Sequence, residues 1–267
     1  MAQAKGGKNM KDAIIGIIGG TGGMGRWFAG LLRKKGYKVH VCGRRTKLGA
    51  SDLAGLCNVV VVAVPIAATA QVIRQVGPLM AEGSLLMDLT SLKKEPVELM
   101  LSCSRADVVG CHPLFGPSLK DVRGQNVVLC PARRSSNWFP WLKLILEKKG
   151  LIVTETTPEE HDKMMAIVQV LNHLNTISLG MALTETGIPL AEIQKFSTPI
   201  FQTKVEIIKK VFTENPGLYA DIITQNPAAE KMIDLYEKTL ADIRKLMKPG
   251  DGTKLKEAIE KAAKKLF

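Results

Sequence analysis

One histidine in this chain stands where an imidazole can do chemistry. His112 lies in Gly110-Cys111-His112-Pro113-Leu114-Phe115-Gly116-Pro117, just after a short apolar run. The proline behind it biases its backbone to an extended form rather than helix. Imidazole titrates near neutrality, so a histidine at the lip of a sheet is suited to accept a proton from a substrate. Far upstream, the apolar run 14–18 reads as a buried parallel strand that breaks at Gly19. Gly20-Thr21-Gly22-Gly23-Met24-Gly25 then fits G-x-G-x-x-G, and Trp27, Phe28, Leu31 and Leu32 follow at helical spacing. Strand, glycine turn and helix in that order make a dinucleotide site. Gly20 is expected to allow the tight turn, Gly22 the approach of a pyrophosphate, and Gly25 close packing of helix on strand.

The next strand separates the two nicotinamide dinucleotides. An NAD site carries Asp or Glu about 20 residues past the glycines, bonded to the ribose 2′-hydroxyl. Here the strand ends in Val41-Cys42-Gly43-Arg44-Arg45-Thr46, with no acid. An open Gly43, the Arg44 and Arg45 guanidinium groups and a Thr46 hydroxyl donor favour a 2′-phosphate. NADP is therefore the expected cofactor, with NAD as the alternative. Val64-Pro65, after the third strand, is expected to line the nicotinamide, and residues 88–93 (DLTSLK) follow the fourth.

These groups need a scaffold that puts strand ends side by side. Apolar runs at 38–42, 58–64, 84–89, 107–110, 126–130 and 151–154 alternate with helical or loop segments, 67–80 reading as a crossover helix. That repetition predicts an α/β fold, a Rossmann-type, mostly parallel sheet. From Thr157 the texture changes. Thr157-Pro158-Glu159-Glu160 is a helix start, with Thr157 as N-cap and Pro158 in the first position. Helical patterns then run almost to the end. The expected domains are residues 1–156, dinucleotide-binding, and 157–267, an all-helical dimerisation domain.

Composition narrows the class further. The 267 residues are 46% hydrophobic and 23% charged, as in a soluble globular protein. No run of consecutive apolar residues approaches the ~20 needed to span a bilayer, so no membrane partner is expected. The first twelve residues lack the apolar core of a signal peptide and read as a frayed tail. Cys42, Cys57, Cys103, Cys111 and Cys130 have no metal-ligand spacing, which suits reduced thiols in a cytoplasm and no bound metal. The net charge of +12 comes from lysines spread over helix faces, without an aromatic-interleaved basic motif. It therefore suits anionic small molecules rather than nucleic acid.

Seven segments together resemble one family. GGTGGMGRWFA, VVVVAVPI, MDLTSLK, GCHPLFGPS, GQNVVLCP, TPEEHDKMM and STPIFQTKVEIIKKVFTENPGLYADII are similar, in order and spacing, to the prephenate/arogenate dehydrogenases. The likeness runs from residue 14 to about 245. It implies oxidation and decarboxylation of prephenate, or of its amino analogue arogenate, on the route to tyrosine. It also implies a Rossmann-type domain followed by a helical domain that builds a homodimer, here as a free-standing dehydrogenase. His112 then matches the catalytic base, and Ser91 a serine that orients it near nicotinamide and substrate. His161 and His173 match histidines that face the substrate, and Gln169 shares their helix face. Tyr219 matches an aromatic near the pocket.

The pattern departs where relatives carry arginines for the ring carboxylate. Gln202 and Lys210 stand at those positions, eight residues apart on one helix face, with Lys204 and Lys209 as further cations. Lysine keeps the charge but not the planar fork that grips a carboxylate bidentately. The expected activity is NADP-preferring prephenate dehydrogenase. The rivals are an arogenate or C4-amino-analogue dehydrogenase, a reductase of another small carbonyl compound, and a non-catalytic NADP sensor.

Overall fold

The structure, a computed structural model, describes residues 10–135 and 137–267. The chain forms two compact units. One holds the residues up to Met165 together with Ala220–Ile222, and the other holds Ala166–Tyr219 and Ile223–Phe267. The expected N-terminal tail lies outside the described residues through position 9. Met10–Asp12, counted in that tail, instead form a 3-10 turn.

The first unit runs β1 (Ile14–Ile18), α1 (Gly23–Lys34), β2 (Lys38–Cys42), α2 (Ala50–Leu56), β3 (Val59–Val62), α3 (Ile66–Val76) and β4 (Leu85–Asp88). It continues with α4 (Lys94–Cys103), β5 (Asp107–Pro113), β6 (Asn126–Arg133), α5 (Trp138–Glu147), β7 (Ile152–Glu155) and α6 (Pro158–Met165). The seven strands form one sheet in the order β2-β1-β3-β4-β5-β6-β7. Every neighbouring pair is parallel except β5 and β6. The mostly parallel α/β class read from the alternating runs is thus observed.

Both faces of the sheet are covered, which is why its central strands read as unbroken apolar runs. On one face Ile15, Ile17, Val59, Val61, Leu85 and Met87 pack with Phe28 and Leu32 of α1 and Trp138 and Leu142 of α5. On the other, Val60, Val62, Leu86 and Val108 pack with Leu53, Ile73, Val97 and Met100. Two elements differ from expectation. The crossover helix stops at Val76 and closes in a 3-10 turn, Gly77–Leu79, because Pro78 has no N–H for a further helical bond. Strand β5 runs three residues beyond 110, because antiparallel β6 keeps pairing with it after parallel β4 has ended.

The second unit is helical. A π-turn, Ala166–Leu171, precedes α7 (Asn172–Glu185), α8 (Leu190–Gln194), α9 (Pro199–Thr213), α10 (Pro216–Gln225), α11 (Ala229–Leu246) and α12 (Thr253–Leu266). The starts of α9 and α10 follow one rule. Thr198 and Asn215 accept hydrogen bonds from the backbone N–H of Phe201 and Leu218, with proline in the first turn. Gly180 lets α7 approach α9, since a Cβ there would stand 2.6 Å from Phe212 Cζ.

One helical stretch bears on the membrane expectation. The helical stretch Pro158–Glu185 is 28 residues long, with mean hydropathy 1.2 in its best window, and so meets the length and composition of a span. It escapes a search for uninterrupted apolar runs because His161, Asp162, Gln169, Asn172, His173 and Asn175 punctuate it. Polar groups of this kind are costly in hydrocarbon.

Candidate active site

Strand register alone assembles the site. Cys42 pairs with Ile18, Ile18 with Val62, Val62 with Asp88, and Asp88 with Gly110. Two residues further along each chain come Arg44, Gly20, Val64, Thr90 and His112. The glycine turn, the Val64-Pro65 segment and the histidine therefore share the carboxyl edge, where open α/β sheets bind ligands. His112 lies inside β5 rather than past its end, and it is buried.

Around the turn, side chains give way to backbone. Gly19, not Gly20, takes the left-handed conformation (φ +81°), and a Cβ there would stand 2.2 Å from the Ala63 carbonyl oxygen. Gly20 is needed for space instead, its Cβ position lying 2.7 Å from Val41 Cβ. Gly25 packs as expected, with Gly19 O 2.3 Å from where a Cβ would sit. Gly22 caps α1 without a side-chain bond, and the first turn of α1 holds no acid. Its free N–H groups fit an anion such as a pyrophosphate. Thr21 lies against Gly43, and Pro117 lies against Gly23. Phe115 meets Trp27 edge-on, with ring centroids 5.0 Å apart, so the loop after His112 is seated on α1.

At the end of β2, Arg44 and Arg45 are exposed and form no ion pair among the described residues. Thr46 is used differently from expectation. Its hydroxyl accepts from Gly43 N at 2.9 Å and lies 2.9 Å from both the Gly43 and Leu48 carbonyls, so its one proton serves the loop. It shapes the arginine turn rather than donating outward.

Behind His112 stands a polar cluster that the sequence reading did not assemble. His112 Nδ1 lies 2.9 Å from His161 Nε2, and His161 Nδ1 lies 2.7 Å from Asp162 Oδ1. Asp162 also accepts the backbone N–H of Lys93 on Oδ1 (2.8 Å) and of Lys94 on Oδ2 (2.9 Å), at the start of α4. The Lys93 side chain is fully buried. Its ammonium pairs with Asp88 and donates to the Cys111 carbonyl at 3.2 Å, one residue before His112. Ser91, expected to orient the histidine, is half-buried and makes no side-chain hydrogen bond among the described residues. The side chain in hydrogen-bond contact with His112 is that of His161. Its two ring nitrogens are both engaged, which leaves none for a substrate. The signal for the buried pair was present in MDLTSLK, an acid and a lysine five residues apart at a strand end.

Burial holds the His112 imidazole well below its ordinary value, with His161 and the Lys93 ammonium pushing the same way. Burial lowers His161 as well, against the opposing hydrogen bond to Asp162.

In the second unit, Gln169 sits in the π-turn, its Oε1 buried and without a partner among the described residues. His173 meets Tyr219 edge-on, with centroids 4.8 Å apart, and burial lowers its imidazole too. Gln202, Lys204, Lys209 and Lys210 are exposed along α9. The structure thus joins His173 to Tyr219 and leaves these four α9 side chains exposed.

Three lowered histidines make stability depend on acid. Below pH ~6.5 the unfolded chain takes up protons that the folded chain refuses, so stability falls as pH falls from that point. His112 and His161 each add up to about 1.4 kcal/mol per pH unit until the folded value is reached, and the partly exposed His173, screened by solvent, adds less. Urea midpoints between pH 7.5 and 5 are expected to fall steadily below pH 6.5; a flat profile would contradict the burial of these rings.

The comparisons with known proteins cover nearly the whole chain. Residues 28–155 match the family model described as prephenate dehydrogenase, nucleotide-binding domain, and residues 157–261 match prephenate dehydrogenase, dimerization domain. A probable arogenate/prephenate dehydrogenase of Methanocaldococcus jannaschii is 37% identical over 95% of this chain and 61% of its own length. The T-protein of Enterobacter agglomerans is 33% identical over 88% of this chain and 62% of its own. The chain thus spans about three fifths of these two relatives. Among solved structures, the prephenate dehydrogenase of A. aeolicus in complex with hydroxyphenyl propionate and NAD+ superposes with a TM-score of 0.77 at 22% identity, covering 97% of this chain and 98% of that one.

Proposed function

The chain belongs to the prephenate dehydrogenase family, and from that premise we propose that it oxidises and decarboxylates prephenate to 4-hydroxyphenylpyruvate with NADP. The observation that carries this reading is the position of His112, level with Gly20 and Val64 on the carboxyl edge. Prephenate bears a hydroxyl at ring C4 and a carboxylate at C1. A bound nicotinamide would supply the hydride acceptor for C4. His112 takes the C4 hydroxyl proton as the carbon is oxidised; CO2 departs from C1, its bonding electrons make the ring aromatic, and the proton returns from His112 to the resulting phenolate oxygen. The depressed affinity of His112 for protons keeps it unprotonated, and so able to accept one, at neutral pH.

Gly20, Thr21, Gly22, Gly23, Met24 and Gly25 would hold the pyrophosphate, and Val64 and Pro65 would flank the nicotinamide. For the 2′-phosphate, the absence of an acid after β2 and the two exposed arginines support NADP over NAD. Arg44→Ala is expected to raise KM for NADP by roughly tenfold or more, the worth of one or two charge-assisted bonds, and to leave KM for NAD nearly untouched. Equal effects on both would refute the role.

Gln169, His173, Gln202, Lys204, Lys210 and Tyr219 are the proposed substrate contacts of the helical part, with Ser91 on the sheet side. None of them is acidic. An ammonium on the substrate side chain, the one group that distinguishes arogenate, would find no carboxylate among them. Prephenate is therefore the preferred substrate. The proposed domains divide at residues 156 and 157, and the helical part supports a homodimer. Phe196 (88% exposed) and Ile200 (74%), with Met181 and Leu235, leave apolar surface uncovered in the single chain. We place the enzyme in the cytoplasm. Steady-state rates with prephenate and arogenate, each with NAD and NADP, test the reading. Prephenate with NADP is expected to give the highest kcat/KM; faster turnover of arogenate would overturn the substrate.

A further inference from the structure

We infer that His161, held by Asp162, is a positioning residue that fixes the tautomer of His112 and so decides which of its nitrogens can act as the base. The inference rests on the proposed role of His112 as proton acceptor. It follows from hydrogen-bond direction along one chain of contacts. Asp162 receives a backbone N–H on each oxygen, Lys93 on Oδ1 and Lys94 on Oδ2, and those groups can only donate. The carboxylate is therefore an acceptor throughout, and the 2.7 Å contact makes His161 Nδ1 the donor. A neutral His161 then presents a bare Nε2, which can only accept. The 2.9 Å contact makes His112 Nδ1 the next donor. That leaves His112 Nε2 unprotonated, with its lone pair free.

The same carboxylate does a second job. It satisfies the first N–H groups of α4, a helix start that otherwise lacks a side-chain cap. The orientation of His161 is thereby tied to a rigid helix rather than to a loop. The arrangement shares the logic of acid–histidine–nucleophile triads, in which the acid sets tautomer and orientation without taking the proton. Here a second imidazole occupies the middle position.

The tautomer can be read directly in the full-length chain labelled with 15N-histidine, which has only four histidines. Long-range 1H–15N spectra near pH 7.5 are expected to show His112 and His161 both protonated on Nδ1 and bare on Nε2. His161→Phe removes the acceptor while leaving Asp162 on its backbone partners. It is expected to release His112 into a mixture of tautomers and to lower kcat at least tenfold, with dinucleotide affinity unchanged. A wild-type His112 protonated on Nε2 overturns the inference, as does a His161→Phe enzyme that keeps both wild-type tautomer and wild-type kcat. Should the variant fail to fold, the wild-type spectrum still decides. A wild-type chain that does not turn over prephenate would instead end the reading of the reaction, with the spectrum still judging the relay.

Discussion

Replacing His112 by asparagine is expected to lower kcat for prephenate by two to four orders of magnitude, the usual worth of a positioned general base. Dinucleotide affinity should remain within about twofold of wild type. Asparagine suits the test because its NH2 group can still donate to His161 Nε2, so the buried partner is not orphaned. It also fits the extended backbone of β5. What is lost is the basic lone pair. In the wild type, burial, His161 and Lys93 all depress the imidazole, so the acid limb of kcat/KM is expected below pH 6.5, and no such limb should survive in the variant. A loss smaller than tenfold would remove His112 from the chemistry and favour the non-catalytic sensor. Stopped-flow binding of NADP beside steady-state rates separates the two outcomes.

Much of this architecture could be read from residues that obey local rules. The glycine turn was legible because a buried run precedes it and a helical pattern follows it. The sheet was legible because parallel strands buried on both faces must be apolar throughout. Thr157, which lies 3.2 Å from the Glu160 N–H, announced its helix in the same local way. Thr46 and the early end of α3 were misread for local reasons, but the misreadings that shape the site involve partners distant in sequence. Nothing near residue 110 says that β6 will return antiparallel and extend β5 past His112. Gly19 has no room for a Cβ because the Ala63 carbonyl, more than forty residues away, stands where it would sit. His161 seemed available to a substrate until the fold spent one ring nitrogen on Asp162 and the other on a residue 49 positions earlier. Periodicity cannot register such pairings, since they are properties of the sheet's register rather than of a segment.

Lys93 carries the largest stability effect we expect. Its side chain and that of Asp88 are both fully buried, and the Asp88 Oδ1 atom has no hydrogen-bond partner among the described residues. Lys93→Met keeps the apolar stem but leaves the buried carboxylate without its cation. Breaking a buried pair from one side costs about 3–5 kcal/mol, because the remaining charge is left uncompensated. Asp88→Asn combined with Lys93→Met removes both charges and should recover most of that loss, since a buried pair often contributes little net of its desolvation. Denaturant midpoints at unchanged slope measure both variants; a single variant within about 1 kcal/mol of wild type would show that the pair is not the constraint. The two variants should part company again in activity. Both lose the bond from the lysine to the Cys111 carbonyl, one residue before the proposed base. The double variant is therefore expected to regain stability without regaining full kcat, because what closes a buried charge balance is not what holds His112 on its strand.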